Sequence, residues 1–254
     1  MSERPVTAEQ PTEEPMTFID KAAGVFYEPS RVFESIKSTG AKFADWFVPV
    51  LILAILGSLS GYVAYSNPDL RYQTMQIMEQ SLNKRVTEGK MTAEQAQQAK
   101  AAMEGGGSSF LPILTVMGAF FGIFVVFFVV SGVWLVVAKF ALKGSITYAQ
   151  SMGVVGLSNW IAALGLLIGI VLSITMSKLN AGLNLGLFTQ AGTLSKSHIL
   201  LSKLDLFTIW GLVLISIGLG KLADKKTAEV AMWVFGLWIV WGLFSVFVLG
   251  GTFA

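Results

Sequence analysis

The residues that could carry chemistry are few and scattered. The chain has 254 residues, of which 16 are acidic, one is a histidine and none is a cysteine. The lack of cysteine excludes disulfides, thiolate metal sites and a cysteine nucleophile. His198 stands alone in a loop, with Asp205 as its nearest acid in sequence. A metal site needs three or four ligands, so the pattern predicts no catalytic residue, metal or cofactor, and a surface position for His198.

The charged residues also avoid the apolar stretches. Ionisable residues inside a membrane usually mark ion pathways or substrate sites. No acid falls within the core of an apolar run, since Asp205, Asp224 and Glu229 stand at the ends of such runs. This distribution argues against a proton-coupled transporter and against an enzyme. The net charge of +2 is small and its basic residues are dispersed, which excludes a nucleic-acid partner.

Long apolar runs define the elements that position these residues. The run from Phe110 to Ala138 contains no charged residue. At about 1.5 Å per helical residue it reaches roughly 43 Å, which exceeds the roughly 30 Å of a bilayer's hydrocarbon core. We therefore predict an all-α polytopic membrane protein with five transmembrane helices. The predicted spans cover residues 47–65, 110–138, 154–175, 206–222 and 229–250.

Two regions before the first span differ in character. Residues 1–15 are rich in Pro, Thr and Glu, which predicts a disordered tail. Residues 16–46 alternate apolar and polar positions on a helical period, with a helix start at Pro29. One interpretation is an amphipathic segment in the interfacial plane, with Arg31, Lys37 and Lys42 facing headgroups. The alternative is a helical segment packed under the bundle.

Two polar regions interrupt the spans. Residues 67–105 predict a helical hairpin, whose second helix opens with a capping box at Thr92 and Gln95. Its Met-rich face could dock a partner, but packing of the two helices on each other is the favoured reading. Residues 177–205 form a loop rich in Leu and Gly, which predicts a segment at the interface or folded back on the bundle.

Small residues recur at four-residue spacing within the spans. Close backbone approach through such residues is how helices associate in lipid. The pattern predicts tight packing but leaves open whether the contacts lie within one chain or between chains. The predicted helix-packing glycines are Gly57, Gly61, Gly118, Gly122, Gly165 and Gly169.

Three stretches resemble the Yip-domain family, also called the Ypt/Rab-interacting-protein family. They are "FYEPSRVFESI" (26–36), "LKGSITYAQSMGVVGLS" (142–158) and "LLSKLDLFTIWGLVLISIGLG" (200–220). The long first loop is typical of a bacterial form, although the proline that the family commonly carries near residue 158 is replaced. The positions that match the family motifs are Phe26, Pro29, Phe33, Gly144, Tyr148, Gln150, Asp205, Phe207 and Trp210.

This resemblance implies a non-enzymatic membrane protein that serves as an adaptor, scaffold or assembly factor. The expected partners are the lipid bilayer and another membrane complex or a second copy. A small GTPase is expected only if the chain is eukaryotic-like. The alternative is a channel or a lipid or small-solute transporter. The distribution of Lys and Arg predicts a cytoplasmic N-terminus and an extracytoplasmic C-terminus, in a bacterial inner membrane if the family form is bacterial.

Overall fold

The computed structural model describes residues 15–104, 110–189 and 195–248. Apart from Pro15, the predicted disordered tail lies outside these ranges. Within them the chain forms helices and no β-strand, with one isolated bridge between Asn184 and Asp205.

The helices follow the apolar runs and their polar borders. A π-helical turn, Val137–Ala141, continues α6, and a 3₁₀ turn, Leu185–Phe188, precedes α8. In the described ranges the α-helices are α1 (Phe18–Tyr27), α2 (Pro29–Thr39), α3 (Phe43–Ser66), α4 (Pro68–Thr87), α5 (Ala93–Glu104), α6 (Phe110–Val136), α7 (Tyr148–Met176), α8 (Lys196–Lys203), α9 (Leu206–Ala223) and α10 (Thr227–Phe247).

Five helices of the described chain are long and apolar enough to cross a membrane: α3, α6 with its π-helical turn, α7, α9 and α10. The shortest, α9, has 18 residues and is therefore about 27 Å long, close to the thickness of the hydrocarbon core. The predicted fold class, an all-α membrane protein with five transmembrane helices, is confirmed.

Local capping sets where the third span begins. The Gln150 backbone N–H donates to Thr147 Oγ1 (3.2 Å), and the Thr147 backbone N–H donates to Gln150 Oε1 (3.0 Å). This reciprocal capping box starts α7 at Tyr148, six residues before the predicted span at 154. The turn between α6 and α7 is consequently short, and Lys143 adopts a left-handed backbone conformation within it (φ 56°).

The spans pack in alternating directions around α7. At one end, which we call the near end, α3 and α7 begin side by side, and they run parallel to the far end. α6 crosses α3 in the opposite direction, with Trp46 stacked on Phe127 (ring centroids 5.5 Å apart) and Ser58 Oγ donating to the Val116 carbonyl (3.2 Å). α9 returns from the far end to the near end along α7, and α10 packs against α9.

The helical hairpin of α4 and α5 lies at the far end. Both hydrogen bonds of the predicted capping box at Thr92 and Gln95 form, at 3.0 and 3.1 Å. Lys100 of α5 pairs with Glu79 of α4 (2.6 Å), so the two helices contact each other. Gln73 of α4 bonds the backbone just after α7 through its side-chain amide, which ties the hairpin to the bundle.

Candidate functional site: the N-terminal helix pair and its seam with the bundle

Two short helices precede the first span, and each has a defined start. At α1, the Asp20 backbone N–H donates to Thr17 Oγ1 (3.2 Å) and Thr17 N–H donates to Asp20 Oδ2 (2.9 Å). The hydrogen bonds from Thr17 lower the pKa of the Asp20 carboxyl. α2 begins with Pro29 in its first turn, where a missing N–H costs nothing, and ends at Gly40, which has a positive φ of 79°.

The inner face of this helix pair is part of the protein core. Val25, Val32, Phe33 and Ile36 are completely buried. α2 lies along α9 and also contacts α7, while α1 contacts α7 and α3. The region predicted as an interfacial segment or as a packed helix therefore forms two helices that pack against the spans.

A buried ion pair links α1 to the start of the first span. Lys21 Nζ lies 2.9 Å from Asp45 Oδ2, and the two side chains are 1% and 0% exposed. The same carboxylate oxygen accepts the backbone N–H of Lys42 (2.8 Å), which caps α3. Asp45 Oδ1 has no hydrogen-bond donor among the described residues. Sequence reasoning missed this pair, because the partners are 24 residues apart and Asp45 lay outside the predicted span.

Exposed ion pairs hold the end of α2 to the turn between α9 and α10. Lys37 Nζ donates to Asp224 Oδ1, and this hydrogen bond raises the pKa of Lys37. Lys221 lies 3.5 Å from Glu34. At the start of α2, Arg31 lies 3.4 Å from Glu28. Two of the three cations expected to face headgroups, Arg31 and Lys37, thus have acidic partners within the protein.

The outer face of the helix pair combines large apolar side chains with charge. Ile19 is 76% exposed and Tyr27 is 69% exposed. At the junction of α1 and α2, an open cleft of about 560 Å³ is lined by Tyr27, Glu28, Pro29, Ser30 and Arg31. We call the exposed side of the helix pair the outer face of α1–α2. Its exposed residues include Ile19, Asp20, Tyr27, Glu28, Arg31 and Glu34.

Residues of the first two sequence motifs lie at contacts between helices. Phe26 packs edge-on against Trp210 of α9, with ring centroids 5.9 Å apart. Phe33 is fully buried beside Gly218 of α9. In the second motif, Gly144 leaves room for Ala223, because a Cβ on Gly144 would lie 2.8 Å from the Ala223 Cβ.

The remaining motif residues fix the starts of α7 and α9. Tyr148 Oη donates to the Phe128 carbonyl (2.8 Å), which joins α7 to α6. Asp205 Oδ1 accepts the backbone N–H groups of Phe207 and Thr208, both at 2.9 Å, and so caps α9. The three motifs therefore converge on α9 and the helices that surround it, where their residues cap helices or fill contacts between them.

A model of the Yip1 domain matches residues 23–249 of the chain. The chain belongs to the Yip1 domain family. The match extends from α1 to the end of α10, and so includes all three motifs. No curated protein and no solved structure matches the chain.

Within this Yip1 domain the six predicted packing glycines fall into two groups. A Cβ on Gly57 would lie 2.5 Å from Ile123 Cδ1, and one on Gly165 would lie 2.7 Å from the Phe207 ring. A Cβ on Gly169 would lie 3.0 Å from the Ala181 carbonyl oxygen. The positions with no described atom within 4 Å of such a Cβ are Gly61, Gly118 and Gly122.

Among the described glycines, the shortest Cβ contact between spans would form at Gly156, which is not one of the predicted packing glycines. A Cβ on Gly156 of α7 would lie 2.3 Å from Trp46 Cα and 2.9 Å from the Asp45 carbonyl oxygen. Gly156 follows Gly153 by three residues, so a search for four-residue spacing does not find it. This contact places the start of α3, and with it the buried ion pair, directly on α7.

The sequence predicted a surface position for His198, which lies in the loop between α7 and α9. It is half-buried, and its Nδ1 contacts Thr189 Oγ1. Burial, and then the nearby positive charge of Lys178, lower the pKa of the imidazole. Across the residues that the structure describes, no group of three or more His, Cys, Asp or Glu side chains could hold a metal ion.

Proposed function

We propose that this Yip1 domain protein is a non-enzymatic membrane adaptor or scaffold, and that the outer face of α1–α2 binds another membrane protein complex. The proposal places α1–α2 on the cytoplasmic side of a bacterial inner membrane, with the C-terminus on the opposite side. It rests on one observation above all: a helix pair firmly fixed to the bundle on one side presents large apolar and charged residues on the other.

The exposed charges favour a protein partner over a lipid surface. Helices that lie on membranes are typically rich in Lys and Arg on their polar face, because those residues attract anionic headgroups. Within residues 18–39, which hold α1, α2 and the residue between them, the exposed charged side chains are Asp20, Glu28, Arg31 and Glu34, which sum to −2. Such a surface is suited to a partner that supplies basic residues.

Three buried hydroxyls in the spans support a packing role. The hydroxyls of Ser158 and Ser216 donate to carbonyls one turn earlier in their own helices, at 2.8 and 2.7 Å. Ser151 donates to the Ser131 carbonyl of the neighbouring helix, at 2.7 Å. Hydroxyl groups engaged in this way are not available as a continuous polar lining.

The proposal is tested by affinity purification from native membranes in mild detergent. Tyr27 and Tyr72 are a matched pair, because they are exposed to nearly the same extent (69% and 66%) but lie in α1 and in the far-end hairpin. We expect a stoichiometric membrane partner to co-purify with the unmodified protein and with the Tyr72→Ala variant. Recovery should fall at least tenfold with a Tyr27→Ala, Glu28→Lys double variant, which removes an apolar contact and reverses one of the exposed acids.

Photo-crosslinking supplies an independent readout. A benzoylphenylalanine placed at position 27 should crosslink to the same partner in intact membranes, and one at position 72 should not. Recovery of a partner-free protein from native membranes would overturn the adaptor proposal. Equal partner loss in the Tyr27 and Tyr72 variants would overturn the assignment to α1–α2.

A further inference from the structure

The described residues of the loop between α7 and α9 fold against each other at the far end. We define the far-end cap as the described residues 177–189 and 195–206, which include the 3₁₀ turn and α8. Its two ends pair through the bridge between Asn184 and Asp205, with Leu206 N–H donating to the Leu183 carbonyl (3.1 Å). The backbone N–H of Ala181 donates to Ser173 Oγ (3.1 Å), which attaches the cap to α7.

Three polar side chains of the cap are bonded within it: Lys178, His198 and Asp205. Lys178 Nζ donates to the carbonyl oxygens of Leu187 (2.6 Å) and Thr189 (2.7 Å), so its ammonium group caps the 3₁₀ turn. His198 contacts Thr189, and Asp205 accepts two backbone N–H groups at the start of α9. Groups that normally contact water are thus bonded within the cap.

Five large apolar side chains of the cap are turned outward. Phe188 is 84% exposed, the most exposed large apolar side chain among the described residues. It has exposed apolar neighbours within the cap: Leu183, Leu185, Leu204 and Leu206. This arrangement is the reverse of a water-soluble loop, where the apolar side chains would face inward and the polar ones outward.

The position of the cap identifies what covers these side chains. α8 runs antiparallel to the last turns of α10: Lys196 Nζ lies 5.1 Å from the Phe247 ring centroid, and Lys203 Cδ would lie 3.5 Å from a Cβ on Gly242. The neighbouring surface of α10 is itself exposed and apolar, through Trp241 and Phe244. The apolar surface of the cap therefore adjoins the lipid-facing surface of a transmembrane helix.

We propose that the far-end cap is inserted into the membrane surface, with Phe188 and its neighbouring leucines reaching the boundary between headgroups and acyl chains. An irregular backbone cannot lie in the hydrocarbon itself, so insertion is shallow. The charge of the cap agrees with a lipid surface, since Lys196 and Lys203 lie on α8 and the one acid among the described cap residues, Asp205, is engaged in capping α9. This lipid contact is separate from the outer face of α1–α2 and does not depend on the proposed partner.

The absence of cysteine makes a direct test possible. Phe188→Cys and Ser197→Cys each introduce the chain's sole thiol, at two exposed positions of the same cap, one apolar and one polar. Each variant is labelled with the environment-sensitive fluorophore NBD and placed, one copy per disc, in phosphatidylcholine/phosphatidylglycerol nanodiscs, where both membrane faces are open to solvent. Leu185→Cys serves as a second apolar site in case the Phe188 variant folds poorly.

We expect the label at 188, and at 185, to emit at shorter wavelength than the label at 197. Nitroxide groups on the acyl chains should quench the label at 188 at least threefold more strongly than the label at 197. Aqueous iodide should quench the label at 188 at least threefold less than the label at 197. Equal quenching of the two sites by iodide would overturn the proposal. Shielding of position 188 that appears only in discs holding two copies would also overturn it, in favour of contact between copies.

Discussion

At the scale of single residues, the Lys21–Asp45 pair is the feature of the seam with the largest expected energetic consequence. Both charges are withdrawn from water, and the one Asp45 oxygen contacts both the Lys21 ammonium and the Lys42 backbone N–H. A buried pair of this kind adds little net stability, but removing one partner leaves the other charge buried and unpaired. The pair thus acts as a specificity device that fixes how α1 meets α3.

We predict that Lys21→Met and Asp45→Asn each destabilise the protein by about 3–5 kcal/mol. In Lys21→Met the carboxylate loses its counter-ion, and Oδ1 already has no donor among the described residues. The double variant Lys21→Met, Asp45→Asn leaves no charge unpaired and should lie closer to the unmodified protein than either single variant. Unfolding midpoints in detergent measure all three, and single variants within experimental error of the unmodified protein would contradict the prediction.

Two glycines at the same scale give a matched comparison. A Cβ on Gly156 would overlap Trp46 and the Asp45 carbonyl, whereas one on Gly118 meets no described atom within 4 Å. Gly156→Ala should therefore destabilise the protein by about 1–3 kcal/mol, because the backbones of α3 and α7 must separate. Gly118→Ala should leave the unfolding midpoint unchanged or slightly raised, since alanine is the better helix former.

The Gly118 variant also tests whether the predicted packing glycines contact helices of the same chain or of a second copy. If Gly118 and Gly122 pack against a second copy of the chain, Gly118→Ala will reduce self-association without altering the stability of the monomer. Analytical ultracentrifugation in detergent measures that association. Destabilisation of the monomer by Gly118→Ala as large as that by Gly156→Ala would refute the assignment of the tight contact to Gly156.

At the scale of elements, the spans were predictable because each is a long apolar run. The capping box at Thr92 and Gln95 was predictable too, since its hydrogen bonds form between residues three apart. The seam of α1–α2 was not predictable, because Lys21 and Asp45, or Phe26 and Trp210, are joined only by the tertiary fold. Periodicity could identify the apolar face of residues 16–46. It could not show whether a lipid surface or the helical bundle covers that face.

The far-end cap is the element whose stability should respond to mild acid. Burial and the charge of Lys178 hold the pKa of His198 below its usual value of 6.5, so the folded state disfavours the protonated ring. The unfolded chain then binds the proton more readily. The contribution of neutral His198 is present above pH 6.5 and is lost as the pH falls through the lower pKa of the folded state.

Intrinsic amide exchange slows as the pH falls, so we expect residues 195–206 to slow between pH 7 and pH 5 by less than the intrinsic change, an excess of exchange that reports lost protection. His198 is the one histidine of the chain, so a change centred in this range can be assigned to it. His198→Gln should remove the excess while leaving the exchange of α4 and α5 as it was. The same excess in the His198→Gln variant would contradict the assignment.

At the scale of the whole molecule, the two ends of the bundle carry different kinds of surface. The near end presents the outer face of α1–α2, in which acids outnumber the arginine among exposed charges of the described residues. The far end presents the cap, with its outward Phe188 and leucines, beside the α4–α5 hairpin. The domain thus offers one surface with the chemistry of a protein contact and another with the chemistry of a lipid contact, on opposite sides of the membrane.

The orientation of the two ends in the membrane can be tested without relying on either proposed contact. Ser38 at the end of α2 and Ser81 in α4 are both exposed, and the chain contains no cysteine of its own. Because Lys and Arg in short loops favour the cytoplasmic side, we expect a membrane-impermeant maleimide to label Ser81→Cys in intact cells and Ser38→Cys only after permeabilisation. The reverse pattern would place the acidic outer face of α1–α2 outside the cell, where a cytoplasmic partner could not reach it. Labelling at these two positions therefore decides which compartment is to be searched for the partner.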